Sequence, residues 1–425
     1  MYFKTARGMK QLFIISKESR AARFGIGTYI RQLIECFDLS LWCIHVVELN
    51  ASVEGYVYKE EDGVFYSKIS LPVYVNEWDL EKERLYYRGV FYWLASLIPD
   101  DREVFCHFNF ARDYELARLL KEKLNVTIFF TLHYMEWSFD LLGNSEKLLS
   151  ILSNPTDREE EKIVNQFKNE RRFMADCCDS IITISKHTLK LLQTLYGIPD
   201  FKLVHIPLGL KDKYIKRSEA ELKRIRKKYL FTEKDRLILY VGRLSDGKGL
   251  CELIQAFRLL SEKDENVRLI IAGNGDFNRY LVVSAPYWGR ITFTGFLTEE
   301  QLGEMYAIAD IGVVPSLHEE LGYVPIEMMM HRLPVICSNA TGLLEVTANG
   351  EFGQLVNWTV EHQSVKLLEV LVEWLLYPKL YQRFRGIGRL RFLKEYSFDR
   401  FQEKIKLLYL SLIHISEPTR RTPIS

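Results

Sequence analysis

The sequence has few of the features that mark specialised classes of protein. Seven of its 425 residues are cysteine, and none of them stands in the C-x-x-C or Cys/His spacing of a metal site. We interpret the adjacent Cys177 and Cys178 as small buried residues rather than as a strained vicinal disulfide. The composition therefore predicts a protein of a reducing compartment without a cysteine-bound metal.

Long hydrophobic runs are also missing. The apolar run near the amino terminus covers only residues 12–15, far fewer than a signal-peptide core contains. The longest strongly apolar stretch, residues 89–98, is shorter than the ~20 residues that cross a bilayer. We therefore expect a cytoplasmic protein, and leave open a peripheral contact with the inner face of a membrane.

The net charge is close to zero. It is +1, so no overall positive field directs the protein to nucleic acid. Apolar residues make up 48% and charged residues 27%, which is typical of a soluble globular protein. Because 425 residues exceed what one hydrophobic core usually organises, we expect two domains.

Short β-branched runs alternate with longer helical patterns, as in βα units with parallel sheets. A first series of predicted strands covers residues 11–16, 43–49, 104–108, 126–132, 180–185 and 203–207. A second series covers residues 237–241, 267–272, 291–294, 310–315, 334–337 and 354–356. Between them lies a basic, polar and helical connection over residues 211–228, for which a surface that binds anionic lipid is the alternative.

These patterns divide the chain near Leu210. We predict an amino-terminal Rossmann-like domain over residues 9–210 and a carboxy-terminal one over residues 211–397. A terminal helix over residues 398–412 is expected to return toward the first domain. Residues 1–8 are interpreted as an extension, and residues 413–425 as a tail that is disordered or foreign to the native protein.

The most informative segment is PSLHEELGYVPIEMMMHRLP, residues 315–334. A strand ends at its first residue and a polar loop carrying Glu319 follows. Gly322 and Pro325 mark the start of a helix, since glycine permits the turn and proline suits the first turn of a helix. Glu327 then falls in the first helical turn.

A helix start of this kind predicts an anion site. The N–H groups of Gly322, Tyr323 and Val324 have no acceptor within the helix, and the helix dipole favours negative charge there. Phosphate beside two carboxylates suits a sugar nucleotide, because the carboxylates accept hydrogen bonds from sugar and ribose hydroxyls. From the spacing alone, a solvated pair formed by Glu319 and Glu320 is an equal alternative.

A second constellation is YVGRLSDGKG, residues 240–249, which follows a predicted strand. It places Arg243 and Lys248 at the carboxyl end of that strand, where open α/β sheets bind ligands. Two fixed cations suit a diphosphate, although both could be surface residues of a turn. The segment lacks the spacing of a Walker loop.

Two weaker signals lie in the amino-terminal half. FGIGTYI, residues 24–30, follows the first strand, and Gly25 and Gly27 would let the backbone approach a ligand or simply form a tight turn. His133 ends the strand of FFTLHYMEW, where a lone histidine is more often a structural residue than a catalytic one.

Together and in this order, these segments resemble the GT-B retaining glycosyltransferases of the family 4 group, the glycosyl transferases group 1. The resemblance covers residues from about 9 to about 412 and is carried by GRLxxxKG at residues 242–249, by the E-x7-E pair Glu319 and Glu327, and by ADIGVVPS at residues 309–316. It implies an α/β, GT-B fold in which two Rossmann-like domains face each other across a cleft. The domain over residues 9–210 would then be the acceptor side, and the domain over residues 211–397 would bind the nucleotide sugar. The chain departs from the family where EELG replaces EPFG and EMMM replaces EAMA.

The resemblance also implies roles for individual residues. Arg243 and Lys248 bind the donor diphosphate, Glu327 binds the ribose hydroxyls, and Glu319 contacts the transferred sugar. The implied catalytic set is Glu319, His133, Arg243 and Lys248. Further donor contacts are implied for Gly25, Gly27, Gly295, Phe296, Leu297, Gly322, Tyr323 and Val324.

We therefore expect an enzyme that moves a sugar from a UDP- or GDP-sugar to a saccharide, lipid-linked or other acceptor with retention of configuration. No D-x-D motif occurs in the sequence, so we expect neither a metal nor another cofactor. A non-catalytic GT-B homologue that acts as a binding or scaffold subunit is the main alternative. A dinucleotide-dependent oxidoreductase is disfavoured because FGIGTYI lacks the third glycine of its motif, and an epimerase or phosphorylase would act without an added acceptor.

Overall fold

The computed structural model describes residues 9–18, 25–71, 80–98, 103–357 and 363–416. Contacts group the chain into two compact units. The first contains Met1–Trp137, Leu149–Gly209 and Phe398–Ser425, and the second contains Ser138–Leu148 and Leu210–Ser397. The predictions for residues 1–8, Phe24 and residues 417–425 lie outside the described residues.

The first unit is built on an eight-stranded sheet in the order β3-β4-β2-β1-β5-β6-β7-β8. Its strands are β1 Lys10–Lys17, β2 Trp42–Ala51, β3 Tyr56–Glu61, β4 Val64–Ser70, β5 Val104–Phe108, β6 Val126–Leu132, β7 Ser180–Thr183 and β8 Leu203–His205. All neighbouring strands are parallel except β3, which runs antiparallel to β4. The central strands are buried along their length, since helices cover both faces of a parallel sheet.

The hairpin of β3 and β4 is absent from the sequence-based assignment. Its two strands are joined through Asp62 and Gly63, whose φ angles are 51° and 76°. An Asp-Gly pair with two positive φ angles is typical of the tight turns that connect hairpin strands. The EEDGVF segment therefore carried a usable signal that the prediction missed.

The second unit is built on a six-stranded parallel sheet in the order β11-β10-β9-β12-β13-β14. Its strands are β9 Arg236–Val241, β10 Val267–Ala272, β11 Ile291–Gly295, β12 Ile311–Val314, β13 Val335–Ser338 and β14 Gln354–Val356. Each predicted strand of the second series is present, with ends that differ by one residue at most. The apolar runs that predicted these strands form the core between the sheet and its helices.

The helices follow the predicted alternation with two differences. They are α1 Gly25–Ile34, α2 Leu80–Leu97, α3 Tyr114–Lys123, α4 Glu136–Asp140, α5 Ser145–Ser153, α6 Arg158–Arg172, α7 Lys186–Thr194, α8 Glu219–Lys228, α9 Leu250–Ser261, α10 Phe277–Ser284, α11 Glu299–Ile308, α12 Tyr323–Met330, α13 Thr341–Thr347, α14 Gln363–Leu376, α15 Pro378–Arg391 and α16 Phe398–Ser416. α8 covers only the end of the predicted connection, because Ser218 and Glu221 form a capping box that begins the helix there. α16 continues four residues beyond the predicted end at residue 412.

The seven cysteines are free thiols, and six of them, including Cys177 and Cys178, are buried. In the part of the chain that the structure describes, no helix is both long and apolar enough to cross a membrane.

Candidate functional site

The strand order of the second unit creates a crevice between two loops. From β9 the chain proceeds to β10 on one side, whereas β12 pairs with β9 on the other. The direction of winding therefore reverses between β9 and β12. In open α/β sheets, ligands bind at the carboxyl ends of the strands at such a switch point.

The loops that follow β9 and β12 are packed directly against each other. The Leu317 N–H donates to the Gly247 carbonyl at 3.0 Å. Gly249 has a φ of 64°, and a Cβ atom on it would lie 1.9 Å from the Pro315 carbonyl oxygen. Only glycine fits this position, so the sequence requires the close approach of the two loops.

The packing brings two of the predicted site residues into contact. Lys248 forms an ion pair with Glu319 Oε1, and Ser316 Oγ donates to the same oxygen at 3.0 Å. The two paired side chains are 21% and 18% exposed, so solvent weakens their attraction only in part. Lys248 and Glu319 are 71 positions apart in the sequence, and the structure makes them one charged centre.

The second carboxylate oxygen of Glu319 points toward the start of α12. A Cβ atom on Gly322 would lie 3.6 Å from Glu319 Oε2, and within the described residues this oxygen accepts no hydrogen bond. Helix α12 begins at Tyr323 after Gly322, whose φ is 92°, and Val324 follows in its first turn. The helix start predicted from Gly322 is thus confirmed, and it lies beside the Lys248–Glu319 pair.

Glu327 lies in the second turn of α12, not in the first as predicted, because the helix begins only at Tyr323. Its Oε2 accepts a hydrogen bond of 2.7 Å from the Tyr306 hydroxyl. Burial raises the pKa of Glu327, although the Tyr306 hydrogen bond and Lys213 oppose this shift. The carboxylate is therefore held in place by a partner on α11.

Arg243 is exposed at the end of β9. Within the described residues no carboxylate lies at ion-pair distance from its guanidinium. Its backbone is held, because the Tyr240 hydroxyl donates to the Arg243 carbonyl at 2.6 Å. The positive charge of the Arg243 guanidinium is therefore not neutralised by a described carboxylate and is available to an anionic ligand.

The predicted nucleobase segment follows the neighbouring strand. Gly295 ends β11 with a φ of 70°, and its carbonyl accepts a hydrogen bond of 2.9 Å from the Gly273 N–H. Phe296 is 68% exposed, and Leu297 beyond it is half-buried. A large apolar side chain exposed at the carboxyl edge of the sheet suits stacking against a flat ring.

The 138–148 segment, which belongs to the second unit, supports the loop that carries Glu319. Ser138 Oγ donates to Glu320 Oε1 at 3.0 Å, and Phe139 packs edge-on against the ring of His318. Gly143 has a φ of 74°, and a Cβ atom on it would lie 2.6 Å from His318 Nδ1. The sequence analysis assigned no role to this segment, because nothing local in it indicates the contact between Ser138 and Glu320, which are 182 positions apart.

Three predicted site residues lie in the first unit. Gly25 and Gly27 both belong to the first turn of α1, so the chain from Gly25 onward is helical and not a loop. His133 Nε2 is 2.9 Å from Asn109 Oδ1, and since an amide oxygen only accepts, His133 must donate through Nε2 and keep Nδ1 as an acceptor. Burial lowers the pKa of His133 to about 3, so the ring is neutral at neutral pH.

Comparison with known proteins shows that part of the chain matches a known family. Residues 222–391 match the family described as glycosyl transferases group 1. This range includes both loops, Lys248 and the Glu319–Glu327 pair.

Curated glycosyltransferases are similar to part of the chain. An uncharacterized glycosyltransferase of Methanocaldococcus jannaschii is 32% identical over 171 residues, which are 39% of this chain and 44% of the relative. The match thus spans less than half the length of that relative.

Solved structures resemble the chain over nearly its whole length. The sucrose-phosphate synthase of Thermosynechococcus elongatus superposes with a TM-score of 0.74 at 18% identity, and covers 96% of this chain and all of its own. HepE of Anabaena, in complex with UDP and glucose, superposes with a TM-score of 0.70 at 15% identity over 95% of this chain and all of its own. The chain therefore has the GT-B fold, as the resemblance predicted.

Proposed function

We propose that this protein is a retaining glycosyltransferase that transfers a sugar from a UDP- or GDP-sugar to a saccharide, lipid-linked or other acceptor. The contact between Lys248 and Glu319 beside the start of α12 carries the proposal. It joins a cation for phosphate, a carboxylate for sugar hydroxyls and a helix N-terminus at one switch point. The names of the relatives and the UDP bound to HepE support the same reaction class.

In the proposed mechanism, one group of residues stabilises the negative charge of the leaving group and another stabilises the positive charge of the sugar. Lys248, Arg243 and the start of α12 oppose the negative charge that grows on the departing diphosphate. Glu319 Oε2 accepts a hydrogen bond from the transferred sugar and stabilises positive charge at the anomeric carbon. A diphosphate oxygen takes the proton of the acceptor, which attacks on the face that the diphosphate leaves, so the anomeric configuration is retained.

The hydrogen bonding of His133 suits a contact with the donor sugar. Its ring is neutral and its Nδ1 is an acceptor because Nε2 donates to Asn109. A neutral acceptor binds a sugar hydroxyl, whereas an imidazolium would add positive charge where the transition state already develops it. We propose that His133 accepts from the donor sugar, with Gly25 and Gly27 contributing backbone contacts.

Transfer should proceed in excess EDTA, because protein cations supply the positive field that a metal would otherwise provide. The transfer reaction is found by screening UDP- and GDP-sugars against a panel of saccharide acceptors. We then expect equal transfer rates in EDTA and in added manganese. NMR of the product should show the anomeric configuration of the donor. Activity abolished by EDTA and restored by manganese, or inversion at the anomeric carbon, would contradict the mechanism.

Glu327→Gln should weaken nucleotide binding about fivefold and lower turnover less. Glutamine keeps the hydrogen bond from Tyr306, but an amide oxygen is a weaker acceptor for ribose hydroxyls than a carboxylate. Calorimetry with UDP and GDP measures the effect, and the 2′- and 3′-deoxynucleotides should show a smaller difference between the two proteins. A Glu327→Gln enzyme with parental affinity and reduced turnover would refute the ribose contact.

A further inference from the structure

The side chain of Asn109 links two neighbouring segments of the first unit and was given no role by the sequence analysis. Asn109 follows β5, which lies between β1 and β6 in the sheet. Its Nδ2 donates to the Ile15 carbonyl of β1 at 3.2 Å, and its Oδ1 lies 2.9 Å from Nε2 of His133, the residue that follows β6. Asn109 is 2% exposed, so water has little access to either hydrogen bond.

The Ile15 carbonyl decides which end of the Asn109 amide faces the histidine. A carbonyl oxygen only accepts, so the Nδ2 of Asn109 must face Ile15. The amide oxygen then faces His133 and receives the N–H at Nε2. Turning the amide over would bring two acceptors together at Ile15. A backbone group of β1 therefore sets the tautomer of His133 through the side chain of Asn109.

A second contact holds the plane of the His133 ring. Tyr29 of α1 packs against it at right angles, with ring centroids 4.8 Å apart and an interplanar angle of 80°. The Tyr29 hydroxyl lies 2.7 Å from Thr131 Oγ1, and the same oxygen lies 2.8 Å from His107 Nε2. Tyr29, Thr131 and His107 are all fully buried. The ring of His133 cannot rotate without losing both the Tyr29 contact and the Asn109 hydrogen bond.

The other ring nitrogen of His133, Nδ1, is left for a ligand. Within the part of the chain that the structure describes, no group hydrogen-bonds to it. A neutral imidazole with its proton on Nε2 has an acceptor at Nδ1. His133 is half-buried, so its ring is in part accessible.

We propose that Asn109 is a positioning residue that fixes Nδ1 of His133 as a hydrogen-bond acceptor for a hydroxyl group. Asparagine suits this role better than aspartate, because a carboxylate at hydrogen-bond distance would favour the imidazolium, whose two nitrogens both donate. That the hydroxyl group belongs to the donor sugar rests on the proposed function. The tautomer of His133 can be measured without it.

The aromatic groups that face His133 are uncharged at neutral pH. Burial lowers the pKa of His133 to about 3, and burial together with the neighbouring His133 lowers the pKa of His107 to about 3. Burial also raises the pKa of the Tyr29 phenol above its usual range. The two imidazoles and the phenol are therefore neutral over the physiological range of pH.

The carboxylates near His133 have other partners. Glu136 and Glu170 line a small cavity together with His133 and Tyr134. Arg112 Nη2 donates to Glu136 Oε2 at 2.8 Å, and Glu170 Oε1 accepts from the Glu136 N–H at 2.6 Å. Burial raises the pKa of Tyr134. No described carboxylate lies at ion-pair distance from the His133 ring, so a new carboxylate beside Nε2 would be the first to act on it directly.

The decisive variant is Asn109→Asp, which keeps the size of the side chain and adds a negative charge. The carboxylate should raise the pKa of His133 from about 3 to about 5 to 6. Nitrogen-15 NMR of the full chain labelled at its nine histidines reports the protonation of each ring nitrogen, and a His133→Gln protein identifies the signals of His133. In the parent, Nδ1 should stay unprotonated and Nε2 protonated from about pH 5 to about pH 8.

The same variant should make transfer depend on pH. A group with a raised pKa is charged below that pKa, so Nδ1 of His133 in Asn109→Asp stops accepting as the pH falls. The transfer rate relative to the parent should then fall about tenfold for each pH unit below the raised pKa. The parent should show no such loss, because its His133 is neutral throughout.

Asn125→Asp is the matched control. Asn125 is exposed and precedes β6, whereas His133 follows that strand, so the same charge is added at the opposite end. It should change neither the pKa of His133 nor the pH profile of transfer. Asn109→Leu is a second variant, which removes both hydrogen bonds at similar size and should leave Nδ1 partly protonated in the neutral ring.

Each contrary outcome has a distinct meaning. A protonated Nδ1 in the parent at neutral pH, or an Nδ1 that behaves as in the parent in both Asn109→Asp and Asn109→Leu, would overturn the inference. A lower melting temperature without a change at Nδ1 would make Asn109 purely structural. A raised His133 pKa with a parental rate at every pH would show that transfer does not use Nδ1. The expected NMR result in a protein that transfers no sugar would uphold the role of Asn109 and refute the proposed function.

Discussion

Replacing Lys248 with alanine should weaken the binding of UDP and GDP about 10- to 100-fold. A charge-assisted contact to phosphate contributes about 1.5 to 3 kcal/mol, and the same change leaves the half-buried Glu319 carboxylate without its cation. The repulsion between that carboxylate and the diphosphate adds to the loss. Calorimetry with UDP and GDP measures the effect on affinity.

Two further variants make this test specific. Arg243→Ala should also weaken nucleotide binding but leave the melting temperature unchanged, because Arg243 has no carboxylate partner among the described residues. Lys227→Ala, on the exposed side of α8, should change neither quantity. Parental affinity for UDP and GDP in both Lys248→Ala and Arg243→Ala would show that the diphosphate binds elsewhere.

Glu319→Gln should lower turnover about 100-fold while the affinity for UDP changes little. Glutamine can accept the hydrogen bonds from Lys248 and Ser316 through its amide oxygen, so the loop keeps its shape. What is lost is the negative charge beside the anomeric carbon, and electrostatic groups aimed at a transition state typically contribute 10²- to 10³-fold. Steady-state rates with saturating donor, together with calorimetry, separate the two effects.

Glu351→Gln is the control for this variant, because Glu351 is exposed in the same unit. It should be indistinguishable from the parent protein in rate and affinity. If Glu319→Gln kept the parental rate, Glu319 would have no catalytic role, and the pair with Lys248 would be structural. Loss of UDP binding in Glu319→Gln without a change in turnover would assign the carboxylate to the nucleotide.

The sequence predicted where the two loops of the candidate site lie in the second unit, because the signals for these loops are local. GRLSDGKG and the helix start at Gly322 each depend on residues within a few positions of one another, and backbone preferences of glycine and proline act over that range. The incorrect prediction of the helical turn that contains Glu327 shows the limit of such signals. Gly322 and Pro325 predict that a helix begins but not at which residue its first turn is complete, and helix ends are uncertain by one or two residues.

Local patterns of residues were enough to predict the αβ alternation, the principal strands of both sheets, and the loops that follow β9 and β12. The order of the strands in the sheet decides which loops contact each other. A parallel sheet can continue to either side after each strand, and the local sequence pattern is the same in both cases. Lys248 contacts Glu319 because β12 pairs with β9. The contact between Gly143 and His318 arises in the same way, from the packing of two segments that are far apart in the sequence.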